Sequence, residues 1–163
     1  MYIYNRSITI TMDTMDVKGQ ASVEYILLAL VFLIIIGSVT VPLINQGIND
    51  SLDVSHSSDA SAAINSIANA IGVVSANGPQ SVRTINIYFS SGGTLDYNTV
   101  NGTIEMPVAL NTNATKVIDA SVPNPVNFNS NLTTFPVNNK TNYVVTVTWP
   151  SGNSPINVNL ATS

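Results

Sequence analysis

Residues 25–44 form an uncharged apolar run, YILLALVFLIIIGSVTVPLI, near the start of the chain. About 20 apolar residues in a helix, at 1.5 Å each, span the ~30 Å hydrocarbon core of a bilayer. A helix in the core of a soluble domain is normally shorter and keeps one polar face. The run therefore predicts a membrane-spanning helix, and any fold for this chain has to leave that helix in an apolar environment.

The composition excludes several classes of function. The chain has 163 residues, a formal net charge of -4 and only 9% charged residues, against about 25% in an ordinary soluble domain. After residue 18 the basic residues are only Arg83, Lys116 and Lys140, so no nucleic-acid footprint is predicted. The absence of cysteine excludes disulfides and thiolate metal sites.

Residues 45–76 predict an amphipathic continuation of the same helix. Their apolar residues recur at steps of three, four and seven, which places them on one helical face able to pack on a partner. The stretch DVSHSSD at 53–59 is the weak part, where Ser and Asp compete with the helical backbone and the helix is expected to loosen or bend. Asn77-Gly78-Pro79 predicts the end of the helix.

After Pro79 the hydrophobic period falls to two, which predicts short strands. Asn101-Gly102 is the best hairpin signal in the chain. Residues 124–139, rich in Asn and Pro, predict a long loop or an irregular edge. The predicted strands are 81–89, 94–100, 103–108, 115–122, 143–149 and 156–160. The predicted fold class is α+β: a long N-terminal hydrophobic helix followed by a small antiparallel β-sandwich or twisted antiparallel sheet.

The junction before the apolar run reads Lys18-Gly19-Gln20-Ala21-Ser22-Val23-Glu24-Tyr25. An ordinary secretory leader ends with small residues after its apolar region, whereas here the small residue comes before it. Cleavage after Gly19 would remove a leader and leave the apolar helix on the mature chain. Lys18 favours keeping that leader on the cytoplasmic side.

KGQASVEY followed by an uncharged apolar run resembles the class III signal peptide of archaeal type IV pilins, most closely those of methanogens. The resemblance covers residues 18–43 in sequence and the remainder in layout only. It implies cleavage between Gly19 and Gln20 by a prepilin peptidase that recognises Lys18 and Gly19, and an assembly role for Glu24. The resemblance implies three parts: a leader at 1–19, a long helix at 20–76 and a pilin-like or immunoglobulin-like β head at 77–163. Within the helix, residues 20–44 form the membrane or filament core and residues 45–76 are amphipathic. Family leaders are short and basic, so Met12 or Met15 competes with Met1 as the true start.

The implied function is a structural subunit of an adhesive surface filament, with no cofactor. Its implied partners are further copies of itself, the prepilin peptidase, an assembly ATPase with its membrane platform, and the membrane before assembly. Three alternatives stay open: an archaellin-like subunit of a motility filament, a minor pilin, and a single-pass membrane-anchored surface binding protein. No catalytic set is visible, because His56 is the only histidine and the carboxylates are sparse.

Several single residues carry further expectations. Glu24 either lies at the headgroup level near the helix N-terminal dipole or, as the resemblance implies, pairs with the N-terminus of a neighbouring subunit. Gln20 can cyclise to pyroglutamate, which removes the charged N-terminal amine. Glu24 would then accept a hydrogen bond from an amide and would have no ammonium partner. Pro42 is expected to kink or locally unwind the helix. His56 is expected to be a solvated helix residue and no metal ligand.

Candidate N-glycosylation sites follow the apolar run, and an oligosaccharyltransferase is the implied partner for them. A chain rich in Asn and Thr forms such sequons by chance, but their predicted positions in turns and loops favour the use of some. The candidate asparagines are Asn49, Asn101, Asn113, Asn131 and Asn139.

Overall fold

The computed structural model describes residues 15–111, 114–129, 132–151 and 153–163, with helical side chains described from residue 22 onward. Within these residues, one helix, α1 (Met15–Asn77), is followed by two sheets of four strands each. This confirms the predicted α+β layout with a long apolar helix first. The chain divides into two units, Met1–Gln46 and Gly47–Ser163. Most of the predicted leader, with the alternative starts Met1 and Met12, lies outside the described residues, and the predicted domain boundaries stay predictions.

The helix ends through a glycine in the left-handed conformation. Gly78 has a φ of 87°, and its N–H donates to the carbonyl of Val74 at 3.1 Å. The Ser81 hydroxyl donates to the same carbonyl at 2.8 Å. Glycine adopts this conformation without a Cβ penalty, and Pro79 cannot continue the helix, so the predicted stop at Asn77-Gly78-Pro79 is confirmed.

The expectation that the helix loosens at residues 53–59 is wrong, since helix continues through this stretch. Asp53 and Ser57 are buried there. Asp53 Oδ1 accepts hydrogen bonds from the backbone N–H of Asn111 at 2.8 Å and from its side-chain Nδ2 at 2.9 Å. A carboxylate engaged by a distant loop no longer competes for the helical backbone, which explains why helix persists.

The eight strands agree in large part with the predicted ones. Sheet A has the order β1-β7-β8-β5 and sheet B the order β4-β3-β2-β6. The strands are β1 (Val82–Phe89), β2 (Gly93–Asn98), β3 (Thr103–Ala109), β4 (Thr115–Ser121), β5 (Val126–Phe128), β6 (Thr134–Val137), β7 (Thr141–Thr148) and β8 (Ile156–Thr162). All pairs are antiparallel except β5 with β8, which is parallel.

The β2–β3 hairpin forms where Asn101-Gly102 predicts it, but its loop is longer than expected. Strand β2 ends at Asn98, which pairs with Thr103. The side-chain Oδ1 of Asn98 accepts hydrogen bonds from the N–H groups of Val100 and Asn101, at 3.0 and 3.2 Å. An Asn side chain that accepts from the N–H groups two and three residues further on forms a turn in place of ladder hydrogen bonds, so the predicted strand at 94–100 ends two residues early.

Residues 124–139 contain two short strands, so the prediction of a long loop is wrong and that of an irregular edge is the better one. Strand β5 is the outer strand of sheet A beside β8, and β6 is the outer strand of sheet B beside β2. The sequence does not predict these strands, because each contains only three or four residues. A period of two cannot be recognised over so few residues.

One hydrophobic core joins the second part of α1 to both sheets. Ile64, Ile67 and Ile71 are fully buried together with alternate residues of the strands, among them Val145 and Val158. This matches the predicted amphipathic face from Ala60 onward. The predicted face also included Ile48 and Leu52, which are exposed, so the buried face begins only at Asp53.

Candidate functional site

The apolar part of α1 exposes side chains on every face. From Val23 to Ile44, every large apolar side chain is between 49% and 75% exposed. The helix Ser22–Asn77 contains an 18-residue window with a mean hydropathy of 2.8 and none of that window buried. By length and composition this helix is compatible with membrane anchoring or with a signal segment near the N-terminus. The apolar part is therefore the surface of the molecule that most needs an external partner.

Glu24 stands immediately before the apolar run and is exposed. It is the only charged residue between Lys18 and Asp50. Lys18, Gly19 and Gln20 lie in the first turns of α1, which begins at Met15. A helical turn contains 3.6 residues, so Gln20 and Glu24 are about one turn apart along α1. The structure thus places the four predicted processing and assembly residues on one short helical stretch.

Pro42 lies inside α1, and helix continues through it. Proline has no N–H, so the carbonyl of Ser38 loses its helical donor. The Ser38 hydroxyl donates to the carbonyl of Ile35 at 2.8 Å. A Cβ placed on the nearby Gly37 would meet no atom within 4 Å, so that glycine leaves open space on the helix surface.

Two polar contacts between the helix and the loops of the unit Gly47–Ser163 were missed by the sequence analysis. Asp53 binds Asn111, 58 positions away along the chain. His56 Nδ1 lies 3.1 Å from the hydroxyl of Ser90 and the pair is partly buried, so the expectation of a solvated His56 is wrong. No local signal predicts either contact, because both join residues that are distant in sequence.

Three of the five candidate glycosylation sites lie in the described residues. Asn101 and Asn139 are exposed in turns, and Asn49 is exposed on α1. Asn113 and Asn131 lie outside the described residues. None of the three described asparagines is close to Glu24 in sequence, so these sites and the processing residues form separate groups.

The hydroxyls of two sequons are engaged inside the fold. Thr103, which completes the Asn101 sequon, is buried, and its hydroxyl donates to Glu105 Oε1 at 2.7 Å. The Thr141 hydroxyl of the Asn139 sequon donates to the carbonyl of Asn139 at 2.9 Å. Both threonines therefore already have partners in the folded domain.

The carboxylate of Glu105, in strand β3, has structural partners. Glu105 Oε1 accepts hydrogen bonds from the Asn98 amide at 2.9 Å and from the Thr103 hydroxyl. Over the part of the chain that the structure describes, no three His, Asp or Glu side chains lie together as a bound metal ion would require. The two hydrogen bonds to Glu105 therefore stabilise the turn between β2 and β3.

No family model matches the chain, and neither a curated protein nor a solved structure similar to it was found. Its function therefore has to be argued from its own residues.

Proposed function

We propose that this chain is the precursor of a structural subunit of an archaeal type IV pilus-like surface filament, with adhesion as the filament's role. A prepilin peptidase cuts it between Gly19 and Gln20, and the mature chain polymerises through its N-terminal helix. The observation that carries the proposal is a helix exposed and apolar on every face from Tyr25 to Ile44, preceded by one carboxylate and followed in the chain by a β-rich unit.

The exposed helix surface supports the proposal on energetic grounds. Each large apolar side chain gains about 1.5–3 kcal/mol when it is fully removed from water. An entire run of such side chains therefore has to be covered by lipid or by other apolar helices. Transfer from lipid into a bundle of identical helices keeps the surface away from water at both stages. The same helix thus serves as a membrane anchor before assembly and as a filament core after it.

The junction residues favour processing over permanent anchoring. A small residue placed before the apolar run gives a cut that keeps the run on the mature chain. After that cut Gln20 becomes the first residue of the helix, and Glu24 lies one turn further along the same face. In a bundle, the Glu24 carboxylate pairs with the N-terminus of a neighbouring subunit, or accepts an amide hydrogen bond if Gln20 has cyclised. A carboxylate at membrane depth needs a partner of this kind.

The β-rich unit takes the role of the extracellular head, with a pilin-like or immunoglobulin-like layout. Its surface is polar and sparsely charged, which suits contact with surfaces and other cells. An assembly ATPase with its membrane platform extracts the subunits, and an oligosaccharyltransferase modifies some of the five sequons. The chain then resides at the cell surface in the filament, having passed through the cytoplasmic membrane as the precursor.

The deciding experiment is N-terminal sequencing and mass measurement of the protein in filaments sheared from cells. A mature chain that starts at Gln20, free or as pyroglutamate, supports both cleavage and filament incorporation. A chain that retains Lys18-Gly19 and occurs only in the membrane fraction would overturn the proposal in favour of a single-pass surface binding protein. Loss of swimming on deletion would instead assign the filament to motility.

A further inference from the structure

We propose that a cavity at the end of the unit Gly47–Ser163 where α1 terminates binds a neutral saccharide. The cavity measures about 310 Å³ and is lined by the chain's only tryptophan, Trp149, together with Tyr97 and several side-chain amides. This volume is at the lower end of the roughly 300–1,000 Å³ typical of small-molecule pockets, and suits a ligand of one or two sugar rings.

The walls of the cavity are held by hydrogen bonds that do not need a ligand. The Trp149 indole Nε1 donates to the carbonyl of Ser154 at 3.1 Å. The Tyr97 N–H donates to the carbonyl of Thr133 at 2.9 Å, and Asn124 Nδ2 donates to the hydroxyl of Ser75 at 2.9 Å. A site fixed in this way before binding loses less conformational freedom when its ligand arrives.

Two aromatic side chains line the cavity. Tyr97 and Trp149 are half-buried and pack against the hydrophobic core. The Trp149 indole N–H is already engaged by Ser154, so what the indole can offer a ligand is the apolar surface of its ring. The face of an aromatic ring carries partial negative charge and attracts the positive edges of C–H groups. A pyranose ring presents such C–H groups on one side.

The polar groups around these rings match the hydroxyl edge of a sugar. Asn127 and Asn153 line the cavity, and their side-chain amides make no hydrogen bond with any residue that the structure describes. Each amide offers two donors and one acceptor, which fits a pair of adjacent hydroxyls. None of the described lining residues carries a charge, so the cavity favours a neutral ligand over a phosphate or a uronic acid.

A larger cavity beside α1, of about 630 Å³, lacks the combination of aromatic and amide side chains found at Trp149. It is lined by Asp53, Lys116 and several serines and by no aromatic side chain.

A proline-rich peptide is the main alternative ligand for a cavity lined by aromatic side chains, but such peptides bind in extended grooves. The saccharide belongs either to an external polysaccharide or to an N-glycan on another copy of this chain. Its use in adhesion rests on the proposed filament function, whereas binding itself does not.

The test uses the fluorescence of Trp149, which reports on this cavity alone because no other tryptophan exists. The full chain, produced without glycans, is kept in a detergent whose headgroup is not a sugar. It is titrated with cellobiose, maltose and N,N′-diacetylchitobiose up to about 50 mM, since a single ring is expected to bind in the millimolar range. We expect a saturable emission shift with at least one disaccharide and none with glycerol at equal concentration.

Variants that keep the tryptophan locate the binding. Tyr97→Leu should weaken the affinity about fivefold through loss of the aromatic face, and Asn127→Ala should weaken it as well. Asn142→Ala is the matched control, because Asn142 is exposed near the opposite end of β7 from Trp149. Circular dichroism and thermal melting of each variant establish that it folds.

Three results would overturn the inference. The first is the absence of a saturable shift with every disaccharide, and the second is an unchanged affinity in Tyr97→Leu. The third is a shift produced only by a proline-rich peptide. The natively glycosylated protein separates the two sources of sugar. An emission already shifted and insensitive to added disaccharide indicates a glycan of another copy, and an unshifted, responsive emission indicates an external polysaccharide. Failure of the titration would leave the N-terminal sequencing result untouched.

Discussion

Two isoleucines on α1 test whether only the second part of the helix contributes to the hydrophobic core. Ile67 is fully buried in the core of the unit Gly47–Ser163, whereas Ile35 is 53% exposed. Replacement of either by alanine removes the same three carbon atoms. It also changes helix propensity by the same small amount, so this contribution cancels when the two variants are compared.

The expected cost follows from the burial of each side chain. At about 0.8 kcal/mol per buried CH₂ group, Ile67→Ala loses roughly 2.4 kcal/mol of transfer free energy. The cavity left behind raises the total to as much as about 5 kcal/mol if the surrounding residues do not collapse. For a unit of this size the melting temperature should fall by about 10–20 °C. Ile35→Ala should change the free energy of unfolding by less than about 0.5 kcal/mol.

The measurement is urea and thermal unfolding of the full chain in detergent, followed through Trp149 fluorescence. The sole tryptophan lies in the unit Gly47–Ser163, so the signal reports on that unit. Equal shifts in the two variants, or an Ile67→Ala chain that melts within a few degrees of the parent, would refute the assignment of the second part of α1 to the core.

Four further predictions address assembly, insertion, polar contacts and modification. Glu24→Ala and Glu24→Gln should leave cleavage intact and reduce the yield of sheared filaments, and normal yield from both would remove Glu24 from assembly. Ile35→Lys adds about 2.5–3.5 kcal/mol to membrane insertion, so less protein should resist alkaline extraction from membranes than with Ile35→Ala; equal recovery would contradict a membrane stage. Asp53→Ala should cost about 1.5–3 kcal/mol in unfolding free energy, because a buried charged acceptor of two hydrogen bonds is lost. Combination with Asn111→Ala should add little, whereas additive losses would deny the coupling. Asn101→Gln should leave the mass of native filament protein unchanged, because the Thr103 hydroxyl of this sequon is buried and bonded to Glu105; a loss of one glycan mass would contradict this.

Local sequence patterns account for the elements of this fold better than for its contacts. The uncharged run and the three- and four-residue spacing of Ile64, Ile67 and Ile71 predict helix, since 3.6 residues make one turn. Alternation of buried residues in Tyr143, Val145 and Val147 likewise predicts strand. Both patterns depend only on neighbours along the chain, which is why they can be read without a structure.

Contacts between distant residues could not be predicted in this way. The pairing of Val126 with Ile156 is parallel, and such a pair requires a long connection that leaves no local signature. The bonds of Asp53 to Asn111 likewise join residues far apart, and they decide that residues 53–59 stay helical. For the candidate site, the processing and assembly roles of Gly19 and Glu24 stay predictions. The cavity at Trp149 could not be predicted, because its walls come from β2, β5 and loops that are distant in sequence.

The two parts of α1 differ in what stabilises them, and this difference bears on assembly. Residues from Asp53 onward are covered by the chain's own strands, so the unit Gly47–Ser163 has a complete core. The apolar side chains from Val23 to Ile44 are not covered in this way, and another molecule has to cover them. A second copy offers the same apolar helix, and because that helix is apolar on every face, one face of it can pack against a different face of the next copy. Such head-to-tail contacts extend without limit when the rotation between copies does not close a ring. Under the proposed function, a cut at Gly19 would keep that surface on every mature copy, so the side chains that need an apolar environment would also drive polymerisation.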